Sequence, residues 1–415
     1  MVARTSIWQN RNFTRVWLGQ FVSAIGDGMH TVAILWWVKV STGSDALVAL
    51  IALCSAVAGV LLSPIGGVYA DRVERRRLMI SMDVARAVLL GVAVVALATG
   101  ELKPWMVCIL AAGLSSLSAF FGPALGASTP QLVAAEQLQQ ANSMNQSAGA
   151  MAGLIGPALG GVLVAVLGTP SVLAFDALTF LFSAACIFGA RIPMPVRKPG
   201  TERQHVLADL REGLLVFRAD RLLWGTVLMT AGLNFLAGPL QVLMPGIAHD
   251  VLHTSSTGFG MMEAAMSAGF IVGAVLTGVI KAPRVGPFII WPIVASGLAI
   301  AGAGFSRSLP LTVAMLALAG INLAVCNIFL MVIFQTRVEP SVQGRAFGAL
   351  GSLSGGLRPI ALAVTAPLIV LAGGAANLAV ACGLALSAGG FGGFVVPGLP
   401  NLARPRTGGT PVAAD

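Results

Sequence analysis

The chain has 415 residues, 56% of them apolar and 10% charged, where soluble domains carry about 25% charged residues. So few polar groups cannot cover a soluble protein of this length, which excludes a soluble enzyme or binding domain. The net charge of +9 does not point to nucleic acid either, because the basic residues sit in short loops between apolar runs and form no stripe.

A helix needs about 20 apolar residues to cross hydrocarbon. Twelve runs qualify, at 14–40, 46–70, 78–99, 104–128, 140–168, 170–190, 222–248, 257–281, 285–306, 309–335, 343–370 and 374–398. The 50 glycines suit such helices, since small residues let spanning helices approach closely. The expected fold is therefore an all-α integral membrane protein. The first 13 residues are mostly polar, and no small-residue cleavage site follows the first apolar run, so no cleaved leader is expected. An even number of crossings puts both termini on one side. Lys39, Lys103 and Arg307 fall at the opposite ends, Arg358 lies deep in helix 11, and nearly all other Lys and Arg lie on the terminal side. Basic loops collect in the cytoplasm, so both termini are expected there, in a cell (inner) membrane. Trp8, Trp17 and Trp224 near inner ends, and Trp36, Trp37 and Trp105 near outer ends, suit interfacial heights.

A charge at the bilayer centre costs about 2.5–3.5 kcal/mol on insertion scales, so each one asks for a reason. In helix 1, Gln20, Ser23, Asp27, His30 and Thr31 share one face, opposite Phe21, Ile25 and Val32. That stripe reads as the wall of a water-filled cavity, with Asp27 about 20 Å along the helix. Asp27 is the expected proton carrier. The alternative is a hydrogen-bonded Asp that supports a kink at Gly26 and Gly28. His30 is either a relay or simply solvated. Between helices 2 and 3, Asp71, Arg72, Arg75, Arg76 and Arg77 crowd a hairpin that hydrocarbon would exclude. Asp83 and Arg86 follow at i, i+3 near the same surface, a spacing that lets them pair. Together with Asp71 and Arg75 they read as a cytoplasmic latch or, alternatively, as a solvated basic loop. In helix 5, Gly153, Gly156, Pro157, Gly160 and Gly161 permit close packing against the other half and a bend.

The longest loop, 191–221, is basic and proline-rich, and 206–218 reads as an amphipathic helix on the inner surface. It divides the chain into an N-terminal half (1–190), a linker (191–221), a C-terminal half (222–400) and a disordered tail (401–415). Glu263 in helix 8 and Arg358 in helix 11 lie at a depth similar to Asp27. They either pair and hold the second half together, or face the substrate and proton path with Asp27, Gln20 and His30. No G-x-x-x-x-G-K-[ST] run is present, so neither ATP nor a cofactor is expected. The five cysteines are singletons, with no metal-ligand spacing and no disulfide framework.

Gly67, Asp71, Arg72, Arg75 and Arg76 form a G-x-x-x-D-R-x-x-R-R pattern that resembles the helix 2–3 loop of the major facilitator superfamily. Gly149, Gly153, Gly156, Pro157, Gly160 and Gly161 are similar to the helix 5 motif of its antiporters. Asn142-Ser143, Phe175-Asp176-Ala177-Leu178 and Gly344-Arg345-Ala346-Phe347 resemble the branch of enterobactin-type siderophore exporters and macrolide or multidrug efflux proteins. Helix 4 reads Leu114-Ser115-Ser116-Leu117-Ser118-Ala119-Phe120-Phe121 and lacks the Arg of drug:proton antiporters. The resemblance implies twelve transmembrane helices in two pseudo-symmetric six-helix halves. It also implies a peripheral helix 6, which makes Asp176 read as structural.

The expected function is a secondary active transporter, not an enzyme. It would export amphipathic drug-like or siderophore-like molecules by alternating access with proton antiport. An uptake carrier or facilitator is the alternative. An intramembrane lipid-modifying enzyme is more remote, because the four histidines are scattered. The expected partners are the lipid bilayer, the substrate and protons, with the protein a monomer.

Overall fold

A computed structural model of the chain describes residues 7–70, 72–193, 214–279, 284–339 and 342–402. The expected latch residue Asp71, most of the linker with its amphipathic helix, and nearly all of the tail lie outside the described residues. So do the side chains of Gly344, Arg345 and Phe347.

The chain forms α1 (Arg11–Thr42), α2 (Asp45–Ala70), α3 (Arg75–Ala98) and α4 (Pro104–Leu132). Helical hydrogen bonding then runs through 51 residues, Leu138–Phe188. At 1.5 Å per residue that is about 76 Å, more than twice the hydrocarbon thickness of a bilayer. Gly168 breaks it, with φ 78° and ψ 163°, into α5 (138–167) and α6 (169–188). Pro170 follows in the first turn of α6, where its missing N–H has no helical partner to lose. The second set is α7 (Arg221–Val251), α8 (Ser256–Val279), α9 (Pro287–Phe305), α10 (Leu309–Arg337), α11 (Gln343–Ala372) and α12 (Ala375–Gly392). Among the described residues, eleven stretches are long and apolar enough to span, and the break at Gly168 makes them twelve. α7 is not the uniform helix expected. It runs as Arg221–Ala237, then Leu240–Gly246, and ends in a π-helical turn, Ile247–Val251.

Local chemistry fixes the ends. Asn10 accepts a hydrogen bond from the Phe13 N–H at 3.2 Å and starts α1. Gly43, at φ 65°, ends it in the left-handed conformation that side chains disfavour.

Within the first six helices, α1 packs on the α5–α6 pair, α2 on α4, and α3 on α4 and on the α5–α6 pair. Within the last six, α8 packs on α10, α9 on α10 and α12, and α7 on α11 and α12. The two sets meet chiefly through α5 against α8 and α2 against α11. Val166, Val275, Val370 and Leu371 lie exposed on helix surfaces, as lipid-facing residues do.

Candidate functional site

The halves touch at one end of the bundle and part at the other. At the end away from the termini, Gly161 of α5 lies so close to α8 that a Cβ there would sit 3.0 Å from the Gly260 Cα and 2.4 Å from the Ser256 carbonyl oxygen. Ser256 Oγ donates to the Gly161 carbonyl at 2.9 Å across the same contact. Toward the termini, a Cβ on Gly149 of α5 or Gly278 of α8 would meet nothing within 4 Å. Gly156 and Gly160 turn away from the other half. They pack on α1, where Cβ atoms would meet the Ile25 carbonyl oxygen at 2.7 Å and the Met29 Cα at 2.8 Å. The glycine run thus serves two contacts, and only part of it faces the opposite half as expected.

The closed end carries a charge cluster that spans both halves. Lys39 of α1 is 1% exposed, with Nζ 2.6 Å from Asp45 of α2 and 2.5 Å from Asp250 of α7. His249 lies 2.7 Å from Asp250, and the Trp36 ring meets both His249 and Phe259. Sequence reasoning missed this cluster. Its signal was a Lys at the end of one span, with an Asp opening the next.

Between the halves lies a cavity of about 510 Å³. Its apolar wall comes from Ile51, Val107, Leu110 and Leu114, and its polar wall from Asp27, His30, Arg86, Gln241 and Arg358. A neighbouring cavity of about 390 Å³ also touches Asp27 and Gln241, and holds Glu263 and Ser267. Asp27, His30 and Thr31 therefore line the space, as the helix 1 stripe implied. Gln20 and Ser23 do not. Gln20 donates to Ser183 Oγ of α6 at 2.7 Å, and Ser23 is buried. The lower part of the stripe is packed because α6 brings its own polar groups to meet it.

Asp176 lines neither cavity but stands behind His30. It is fully buried on α6 and shares a 2.6 Å hydrogen bond with His30 Nδ1. Gly26 makes this possible, since a Cβ there would lie 2.1 Å from Asp176 Oδ1. The warning in the sequence was a carboxylate inside a span, which needs a partner wherever its helix lies. Asp27, His30 and Asp176 offer ligand atoms within 4.8 Å of one another, a hard donor set of the kind that holds metals. The His30–Asp176 hydrogen bond already satisfies two of the three.

Asp83 and Arg86 pair at 3.5 Å, but deeper than a surface latch. Asp83 is fully buried and accepts from Ser183 Oγ at 2.7 Å. The Arg86 guanidinium lies over Phe121 and Phe180, at 4.4 and 4.9 Å, and borders the cavity. A continuous polar chain, Gln20–Ser183–Asp83–Arg86, thus joins α1, α6 and α3 below Asp27.

At the terminal end, Arg75 donates to the Ala127 carbonyl of α4 at 2.8 Å. Arg76 donates to the Phe188 carbonyl of α6 and lies over the Phe188 ring. Both contacts stay within the first half. Arg72 is exposed, and Gly67 has open space around it. Glu263 and Arg358 form no ion pair with each other. Arg358 instead donates to Gln241 Oε1 at 2.9 Å, and Glu263 has no charged partner among the described residues.

A family model described as Major Facilitator Superfamily matches residues 16–361. Macrolide efflux protein A of Streptococcus pyogenes is 26% identical over 362 residues, covering 86% of this chain and 89% of its own length. Enterobactin exporter EntS of Shigella boydii serotype 4 is 29% identical over 347 residues, covering 81% and 80%. Among solved structures, a bacterial homolog of the human lysosomal transporter Spinster, inward-facing and occupied, superposes with a TM-score of 0.72 at 13% identity, covering 94% of this chain and 97% of its own. A bacterial homologue of the iron transporter ferroportin, also inward-facing, gives 0.70 at 13%, covering 94% and 99%. At these identities the structures speak to the fold.

Proposed function

Because the chain belongs to the Major Facilitator Superfamily, whose members are transporters rather than enzymes, we propose that it exports an amphipathic small molecule in exchange for protons, by alternating access. One observation carries this reading. The cavity between the halves pairs an apolar wall with a half-exposed carboxylate, Asp27, whose side chain is 49% exposed. Relatives named as macrolide and enterobactin exporters favour export over uptake. The arginine-rich hairpin after α2 favours cytoplasmic termini in a cell membrane.

In that orientation the described state opens inward, and the Lys39 cluster is the outer gate. Substrate enters from the inner side after Asp27 has released its proton there. The gate then opens and the terminal ends close. Neither side of the gate is stranded when it parts, since Lys39 keeps Asp45 within its own half and Asp250 keeps His249. That matters because an ammonium buried without a partner is strongly unfavourable. Substrate leaves outward, and a proton from outside then reaches Asp27 and resets the carrier. Gly161 of α5, packed on Ser256 and Gly260 of α8, is the moving contact between the halves.

The test is efflux into everted vesicles against a panel of amphipathic drugs and siderophores, with and without an uncoupler. Accumulation that collapses with the pH gradient is expected. Accumulation untouched by the uncoupler would remove proton exchange, and net movement in the opposite direction would remove export.

A further inference from the structure

Arg358 sits about 22 Å along α11, near the depth of the membrane centre, and is exposed to the cavity. A cation at that depth calls for an anion. No carboxylate among the described residues lies within ion-pair distance of it. Among the described residues its one hydrogen bond goes to a neutral amide, Gln241, at 2.9 Å.

The chemistry of that bond fixes what remains on offer. Arginine has five N–H donors and no acceptor, so the amide must turn its oxygen toward the guanidinium. The Gln241 nitrogen, with two N–H groups, is then left to the cavity, where Gln241 is itself exposed. The pair therefore presents a positive charge and mainly donors. A neutral hydroxyl or ether would satisfy a fraction of these, and an ammonium would satisfy none and be repelled. Gln241 also borders both cavities, so the pair stands where the apolar space meets the polar junction.

We propose that Arg358 and Gln241 form the anion-binding subsite of the transported molecule, so that the substrate is an amphiphile carrying a carboxylate, phenolate or similar oxyanion. This rests on the cavity being the substrate site. The apolar body lies along Ile51, Leu110 and Leu114, and the oxyanion takes the free N–H groups of Arg358 and the amide of Gln241. Charge-assisted bonds of this kind are about twice as strong as neutral ones. Asp27 lines the same space from the opposite half, 4.0 Å from His30, so the anion and the proton are taken by different walls of the cavity.

Three probes of one shape separate the possibilities: 1-pyrenebutyric acid, its primary amide and 1-pyrenebutylamine. Their binding to purified full-length protein in neutral detergent is measured by equilibrium dialysis, with no transport required. The acid should bind about tenfold more tightly than the amide, and the amine most weakly. Arg358→Gln should bring the acid down to the level of the amide and leave the amide unchanged. Gln241→Glu, which puts a carboxylate against Arg358, should do the same. Arg358→Lys should keep a reduced preference, showing that charge and not folding is read. Equal binding of acid and amide by the wild type, or a preference that survives Arg358→Gln, overturns the anion subsite and leaves the cavity reading standing. Failure of all three probes to bind overturns both.

Discussion

The two halves treat buried charge differently. In the first half, charges are wired to one another: Asp27 beside His30, His30 on Asp176, Arg86 on Asp83, and Asp83 on Ser183, which accepts in turn from Gln20. In the second half, among the described residues, Glu263 stands without a charged partner and Arg358 has only an amide. Charges in low dielectric are tolerated when paired and hydrogen-bonded. The first half therefore suits a charge that changes within the protein, such as a proton arriving and leaving. The second leaves its charges for something that comes from outside.

The largest effect should come from breaking the wired half at the cavity. Asp27→Asn keeps the shape and the polar contact but removes the site for a proton. Export against a gradient in everted vesicles should fall to the level of vesicles lacking the protein. Binding of substrate to the purified protein should persist, because the apolar wall and Arg358 are untouched. If Asp27→Asn still concentrates substrate, the proton is carried elsewhere, and Glu263 becomes the first place to look.

A smaller but energetically defined effect tests whether the first half is wired at all. Arg86→Gln leaves Asp83 fully buried without its cation. Removing one member of a buried pair costs about 3–5 kcal/mol, whereas removing both is often close to neutral. Arg86→Gln should therefore lower the melting temperature in detergent sharply, and Arg86→Gln with Asp83→Asn should restore most of the loss. Equal losses for the single and double variants would mean that the packing of Arg86 on Phe121 and Phe180 matters more than the charge.

The spans and the family pattern were legible because they rest on local signals. Runs of apolar residues, the basic hairpin after α2 and the glycine–proline spacing of helix 5 can each be read without knowing what packs on what. Asp27, His30 and Thr31 were also legible, since helical periodicity places them on one face. Periodicity does not say what that face meets. It gave no hint that Gln20 turns to Ser183, or that Asp176 reaches His30 through the space left by Gly26. Lys39 and Asp250 are 211 positions apart in the chain, and only the meeting of α1 with the π-helical end of α7 joins them. Asp83 and Arg86 were rightly spaced to pair but placed too near the surface. Counting residues from a loop fixes position along a helix, not which neighbours close over it.

The smallest predicted effect marks the outer limit of the comparison. Arg337 at the end of α10 lies 3.3 Å from Asp220, with side chains 46% and 32% exposed. Asp220 also caps α7, accepting from the N–H groups of Leu222 and Leu223 at 2.8 and 3.4 Å. Solvent screens the ion pair but cannot replace the cap so readily. Arg337→Gln and Asp220→Asn, which spare the cap, should each cost less than about 1 kcal/mol. Asp220→Ala loses both contacts and should cost about 1 kcal/mol more, the usual worth of an N-cap. Thermal unfolding in detergent ranks the three variants. Should Arg337→Gln destabilise as much as Arg86→Gln, then location in the membrane, and not connection to neighbours, is what separates the charges of the two halves.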